Sequence, residues 1–333
     1  MASVIPLGSA VGYDLSQLAL APLTPHLGVE ISGVQLEDVA YDDGFIELAR
    51  KAMDRHVVIL MRGQRLGPGA MVHVASQWGQ PIDIRRRVPG VQPHHVPGHD
   101  FVKVISNGVA ADGRPLGDGN SAAQIWHSDS TAWEVPTSVI AFYCRVTPDP
   151  APRTYFTDMA AVYDGLPPDL RERIGRLRAR HYQYARQIEV EVARSGTSLP
   201  LADRRLGRLH PLVRRHLRTQ RPFLYLPARR DSLIEGMTET ESRALLDEMW
   251  EAVDACPATL SVALAPDDFV IWDNAMAVHR RDGWPATDNR VMWHVSVGAE
   301  VPTPLHPFHT TNVAGMADDQ RRATAAAELA GDY

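Results

Sequence analysis

Apolar residues in this chain fall in short runs and alternations more often than in long helical stripes. Gly28-Val29-Glu30-Ile31-Ser32-Gly33-Val34 alternates apolar and polar side chains between glycines, the period-two pattern of a short strand. Val57-Val58-Ile59-Leu60-Met61 is apolar throughout and reads as a buried strand. Further strand-like segments are Phe101 to Ile105, Ser138 to Val146, Thr154 to Thr157, Asp268 to Trp272 and Arg290 to Val297. Helical spacing is rarer. Asp42 or Asp43 can cap a helix whose apolar face is Phe45, Leu48, Ala49, Ala52 and Met53. A second helix is predicted over about residues 68–78, ending near Trp78-Gly79. Asp158 opens another helical stretch, and Leu166-Pro167-Pro168-Asp169-Leu170 starts one more. Thr238-Glu239-Thr240-Glu241 fits a capping box, followed at helical spacing by Leu245, Leu246, Met249, Trp250 and Val253.

Residues 84–122 are loop-rich around the strand at Phe101, as a lid or binding loop would be. Residues 1–20 form a loose lead-in, and the stretch after Gly315 is rich in Ala and charge. There is no internal repeat and no low-complexity linker. The expected organisation is a lead-in over 1–20, one domain over 21–314 and a tail over 315–333. Strands on both sides of a helical insertion predict a mainly β fold with flanking helices on a double-sheet, jelly-roll core.

Composition narrows the function classes. The chain has 333 residues, 44% of them hydrophobic, enough for a sizeable core. Lys+Arg 34 against Asp+Glu 40 gives a formal charge of −6, which argues against a generic nucleic-acid binder. Cys144 and Cys256 are the only cysteines, which speaks against a disulfide framework or a Cys-based zinc site. The N-terminus lacks a basic region with a long apolar run behind it, and no stretch approaches the roughly 18 apolar residues of a membrane helix. A soluble cytoplasmic protein without nucleic-acid or membrane partners is expected.

One set of residues stands outside this packing pattern: His127 and Asp129 in Trp126-His127-Ser128-Asp129, and His279 far downstream. On a strand or its exit, residues two apart point the same way, so His127 and Asp129 can grip one ion. Two imidazoles and a carboxylate can occupy one face of a metal and leave the other positions open, the ligand set of non-haem Fe(II) oxygenases. A His-X-Asp triplet alone is weak, and a lone histidine more often belongs to a surface or a satisfied core. Arg290, eleven residues after His279, could anchor an anionic co-substrate. His94, His95 and His99 lack cysteine or carboxylate partners at ligand spacing and are not read as a second metal site. Trp126 and Trp272 are read as core aromatics beneath the site, and Asp273-Asn274 as the turn leading to His279.

With its flanks, the chain resembles the taurine dioxygenase-like (TauD/TfdA) family of Fe(II)- and 2-oxoglutarate-dependent oxygenases over roughly residues 21–300. The resemblance rests on the segment Gly28 to Val34, on Arg55 to Gln64, on Trp126-His127-Ser128-Asp129, and on Thr154 followed by Asp158-Met159 and Ala161 to Leu170. It continues in His210-Pro211-Leu212-Val213-Arg214, Phe223-Leu224-Tyr225-Leu226, Val270-Ile271-Trp272-Asp273-Asn274, His279-Arg280 and Arg290. It implies a double-stranded β-helix core with His127, Asp129 and His279 as iron ligands. It implies Arg290 as the partner of the distal carboxylate of 2-oxoglutarate, with a hydroxyl bond from Thr154. A planar bidentate guanidinium suits a carboxylate. Three protein ligands leave three iron positions, two for the keto acid and one for O2. Decarboxylation of the keto acid to succinate would then drive oxidation of a substrate C–H bond.

The departures bear on the substrate. Ala151-Pro152-Arg153 stands where the family usually has Gly-Gly-Asp, so the turn before Thr154 differs. Relatives acting on taurine have an arginine four residues after the position of Arg290 and an asparagine before the His-X-Asp. Here those positions hold His294 and Ala123, which takes taurine itself away. Arg85, Arg86 and Arg87 fall where the family places substrate contacts, and would suit a phosphate or another anion. Arg180, Tyr182, Tyr184 and Arg186 would share one face of a strand and form a second lining, with Arg186 as its candidate substrate contact. The expected activity is oxidation, foremost hydroxylation, of a small polar anionic metabolite, for example in natural-product biosynthesis: a nucleotide such as UMP or an N-substituted amino acid. Relatives often associate, so a homo-oligomer is left open. The alternatives are a non-catalytic jelly-roll binding protein that keeps the metal site, and a zinc hydrolase using the same three ligands. Arg290 argues against both.

Overall fold

The computed structural model describes residues 17–83, 94–133, 136–182, 207–228 and 230–298, with the backbone of 303–304. Strands β1 (Ala19–Pro22) and β2 (Val29–Ser32) form a hairpin; helices α1 (Leu36–Val39) and α2 (Asp43–His56) follow, then β3 (Val58–Met61) and α3 (Pro68–Ser76). Next come β4 (Gln80–Pro81), β5 (His95–Val96), β6 (His99–Ser106), β7 (Gln124–His127), β8 (Val139–Val146) and β9 (Arg153–Asp158). Helices α4 (Met159–Gly165) and α5 (Pro168–Ile174) lead to β10 (Arg178–His181), β11 (Arg208–Pro211), β12 (Val213–Arg215) and β13 (Pro222–Leu224). Helix α6 (Glu239–Asp254) precedes β14 (Thr259–Ala263), β15 (Phe269–Asp273), β16 (Ala277–Arg281), β17 (Val291–Gly298) and β18 (Thr303–Pro304).

The strands divide between a large sheet, ordered β1-β2-β3-β15-β8-β17-β6-β5 with β4 on β17, and a small sheet ordered β14-β9-β16-β7. Short strands β10 to β13, with β18, form two further ladders in the helical insertion. Alternation along the large sheet assigns its two faces. Val58, Leu60, Ile140, Val270, Trp272 and Met292 pack toward the small sheet, where Phe156, Leu260 and Val262 meet them. Ile59, Met61, Ala141, Tyr143, Ile271, Val295 and Val297 pack outward under α2 and α3. A sheet covered on both faces has no polar side, which is why Val57 to Met61 and Phe269 to Trp272 carry apolar runs where alternation would otherwise be seen. The two facing sheets are the jelly-roll core.

Local signals act as the sequence suggests. The Asp42 carboxylate accepts from the Phe45 N–H at 2.8 Å and caps α2. Thr238 and Glu241 form a reciprocal capping box on α6. Gly33 has φ +85, and a Cβ there would lie 1.9 Å from the Gln17 carbonyl oxygen, so the turn after β2 requires glycine. The strand expected at Phe101 is longer than its apolar run, starting at His99. Among the described residues no helix is long and apolar enough to cross a membrane.

Ile271 is 1% exposed in the middle of the large sheet. Ile271→Ala should lower unfolding free energy by about 2–5 kcal/mol. Asp42→Ala, which removes the α2 cap, should lower it by about 1 kcal/mol. Urea denaturation followed by circular dichroism checks both, and equal losses would contradict this account of the core.

Candidate metal centre

Strand pairing brings together residues that are 150 positions apart. On the small sheet β16 lies between β9 and β7, with His279 opposite Phe156 on one side and His127 on the other. The next register pair is Arg281 with Gln124, so β7 spends three residues where β16 spends two. Such a bulge re-aims side chains at the edge of a sheet. Here the Ile125 carbonyl accepts a hydrogen bond from His127 Nδ1 at 2.8 Å. That bond places the proton on Nδ1 and leaves the Nε2 lone pair for a ligand. His127 Nε2 is 3.3 Å from Asp129 Oδ1, and His279 Nε2 is 3.9 Å from the same oxygen. One ligating atom from each of the three residues lies within 4.8 Å of the others, and among the described residues this is the one group that could hold a metal ion.

Asp129 leaves the end of β7 and is held by its backbone. Asn274, in the turn between β15 and β16, accepts from the Asp129 N–H at 3.0 Å and donates to the Asp129 carbonyl at 3.1 Å. Its amide also donates to the Thr137 carbonyl at 2.8 Å. The same turn is capped by Asp273, which accepts from the N–H groups of Ala275 and Met276, both at 3.1 Å. Asp273 is itself fixed by His216 Nε2 at 3.0 Å and Arg218 at 3.2 Å. Packing orients His279, whose ring centroid is 5.1 Å from that of Trp272 and 6.2 Å from that of Phe156.

Protonation states suit a metal, since ligands must be deprotonated. Burial, reinforced by the neighbouring His127, pushes the His279 imidazole down to about 3 despite the opposing pull of Asp129. Burial opposes ionisation of Asp129, but the His127 hydrogen bond and the nearby imidazoles outweigh it and hold the carboxyl far below its usual range. Unprotonated His279, ionised Asp129 and the adjacent His127 together form a two-imidazole, one-carboxylate donor set that fits a divalent first-row metal such as Fe(II).

Beyond the triad, buried side chains of the two sheets include two guanidiniums. Arg290, just before β17, is 4% exposed, and its backbone N–H donates to Asn107 Oδ1 at 2.9 Å. Burial lowers its guanidinium to about 10, still charged at neutral pH. Thr154 is buried on β9, opposite Arg281 of β16. The indole of Trp284 lies 4.1 Å from the Arg281 Cζ and 5.5 Å from the Arg290 Cζ. His294, on β17, is buried against Phe142 at 5.1 Å and bonds Ser296 Oγ through Nε2 at 3.0 Å. Its Nδ1 has no partner among the described residues.

Arg85, Arg86, Arg87 and Arg186 lie outside the described residues. In the second expected lining, Arg180 donates to the Gly207 carbonyl at 3.0 Å and Tyr182 to Asp231 at 2.8 Å. Trp126 differs from the expectation: it faces away from the metal residues, donating to Asp254 at 2.8 Å with Arg280 over its ring, while Trp272 alone packs beneath His279. Trp126 and His127 are consecutive on β7, and consecutive strand residues point to opposite faces. Arg153 likewise turns outward, to Ser261. His94 bonds Asp118 at 3.0 Å and joins no metal group. The clamp by Asn274 and the buried cation Arg281 were not foreseen, although Asn274 ends one recognised motif segment and Arg281 directly follows another.

The sequence pattern of the family described as "Taurine catabolism dioxygenase TauD, TfdA family" matches residues 19–296. An (S)-phenoxypropionate/alpha-ketoglutarate-dioxygenase of Sphingobium herbicidovorans is 27% identical over 296 residues, 84% of this chain and 95% of that protein. A pentalenolactone F synthase of Streptomyces avermitilis is 28% identical over 300 residues, 84% of this chain and 94% of that protein. A solved taurine dioxygenase from Burkholderia xenovorans superposes with a TM-score of 0.68 at 26% identity, covering 87% of this chain and 92% of its own. The chain belongs to the TauD, TfdA family and is an Fe(II)- and 2-oxoglutarate-dependent dioxygenase.

Proposed function

We propose that this enzyme hydroxylates a C–H bond of a small, polar, anionic molecule. In this reading His127, Asp129 and His279 hold Fe(II), Arg290 and Thr154 take the distal carboxylate of 2-oxoglutarate, and His294 faces the substrate. The observation that carries it is the convergence of three metal-ligating atoms within 4.8 Å beside a buried Arg290 that has no ion-paired carboxylate among the described residues. Iron, when bound, supplies reductive activation of O2 coupled to decarboxylation of the keto acid. The protein's part is to hold, orient and exclude water. Asn274 keeps Asp129 at the strand exit, the Ile125 carbonyl keeps His127 in the ligating tautomer, and Trp272, Phe156 and Phe142 line the interior with apolar surface.

For the substrate, a relative named for phenoxypropionate supports a carboxylate-bearing molecule, a class that includes an N-substituted amino acid, over a nucleotide such as UMP. His294 supplies an unpartnered ring nitrogen on the inner face, suited to one polar group of such a molecule. Arg85, Arg86 and Arg87 remain substrate contacts in this proposal on the resemblance alone, and Arg186 on the strand pattern of its segment alone. We place the catalytic domain over 21–314 and the enzyme in the cytoplasm, acting on small molecules and not on nucleic acid or membranes.

Anaerobic addition of 2-oxoglutarate to the Fe(II)-loaded protein should produce a visible charge-transfer band, and admission of O2 should release succinate. His127→Ala and Asp129→Ala should lose more than the ~10–100-fold that loss of an outer-shell partner costs. Succinate release at the parental rate in either variant contradicts the proposal. Asn274→Ala should weaken Mn(II) binding by about 10–100-fold with little change in melting temperature, read by paramagnetic resonance titration.

A further inference from the structure

Arg281 follows His279 by two residues on β16, is 7% exposed, and has no part in the site as described so far. Its inward face is shared with His279, and its register partner on β9 is Thr154. The Trp284 ring links it to Arg290: both guanidiniums lie against the same indole, whose Nε1 donates to the Asp288 carbonyl at 2.9 Å. The Arg281 side chain hydrogen-bonds neutral carbonyls: Asp282 at 3.0 Å, Ala122 at 2.9 Å and Asn120 at 3.3 Å. Among the described residues neither Arg281 nor Arg290 has a carboxylate within ion-pair distance. Burying one guanidinium without a counter-charge is unfavourable, and burying two against one ring adds repulsion. Such a pair becomes favourable when an anion enters.

We propose that Arg281 is a second cationic residue of the 2-oxoglutarate site, adding charge at its distal-carboxylate end while holding the segment from Asn120 to Ala122 that leads into β7. This rests on the assignment of Arg290 to the distal carboxylate. The geometry gives Arg281 two separable tasks. Its charge acts on the co-substrate. Its bonds to the Asn120 and Ala122 carbonyls tie the strand of His279 to the approach of His127, alongside a third tie from the Trp284 backbone N–H to the Ser121 carbonyl at 3.0 Å. A purely structural arginine would serve the second task and leave co-substrate choice untouched.

Calorimetric titration of the Mn(II)-loaded protein separates these possibilities. The titrants are 2-oxoglutarate and oxalate, which can chelate a metal but has no distal carboxylate. Arg281→Gln should weaken 2-oxoglutarate by about 10-fold, the scale of one charge-assisted interaction, with oxalate and Mn(II) affinities unchanged. Arg281→Lys, which keeps the charge and loses the fork, should retain most of the 2-oxoglutarate affinity. Arg281→Met gives the same reading as Arg281→Gln if the latter does not fold. Parental 2-oxoglutarate affinity in Arg281→Gln overturns the proposal. So does an equal loss of oxalate and Mn(II), and so does a lysine variant as weak as the glutamine one. Arg290→Gln is the control for the underlying assignment: if it binds 2-oxoglutarate like the parent, that assignment falls, and the result is distinct from a failure at Arg281 alone.

Discussion

The centre depends on one cross-strand pairing, His279 of β16 against His127 of β7. Neither histidine is close to the other in sequence, and no helix presents both. The pairing is a matter of register, and in a strand a slip of one residue turns every side chain to the other face. β7 is an edge strand with only β16 beside it, so the small sheet alone does not lock its position. The lock comes from outside the ladder. Asn274 grips the Asp129 backbone from the turn that begins β16, and Arg281 grips Asn120 and Ala122 from the end of the same strand. β7 is thus pinned at both ends by residues of the strand it must match.

Behind that pairing lies the large sheet, buried on both faces. One face is closed by α2 and α3, and the other packs against the small sheet that carries His279. Trp272 shows the consequence: it is wholly buried on β15, touches Phe142 and Phe156, and presents its edge to His279. Asp273, the next residue, starts the turn that carries Asn274. Packing, capping and ligand positioning therefore pass through three consecutive residues, Trp272, Asp273 and Asn274.

The local rules were legible where one interaction decides the outcome. Asp42 and the pair Thr238 and Glu241 are caps because their side chains meet nearby backbone donors, a matter of spacing alone. The apolar runs were legible as buried strands for a similar reason. Trp126 was not, since standing beside the metal motif in sequence does not set its face of β7, and its partners Asp254 and Arg280 come from distant segments. Asn274 reads in sequence as an ordinary turn residue. Its bonds to Asp129 and Thr137 exist only once β15, β16 and β7 have come together. Arg281 was hidden for another reason: next to His279-Arg280, a further arginine looks like surface charge until its burial is known.

Charge connects these parts into one argument about selectivity. The chain as a whole is mildly acidic, at −6, yet the interior around the centre holds one carboxylate of the triad against two buried guanidiniums. A divalent metal would add to that positive excess. A monoanion that only chelated the metal would leave Arg290 and Arg281 uncompensated in a low-dielectric cavity, where unpaired charge is most costly. A dianion long enough to reach both ends offsets both. On the proposed assignment of Arg290 and Arg281, a dicarboxylate that reaches from the metal to these guanidiniums would bring them its distal charge, and the electrostatics that disfavour the unliganded interior would favour such a keto acid.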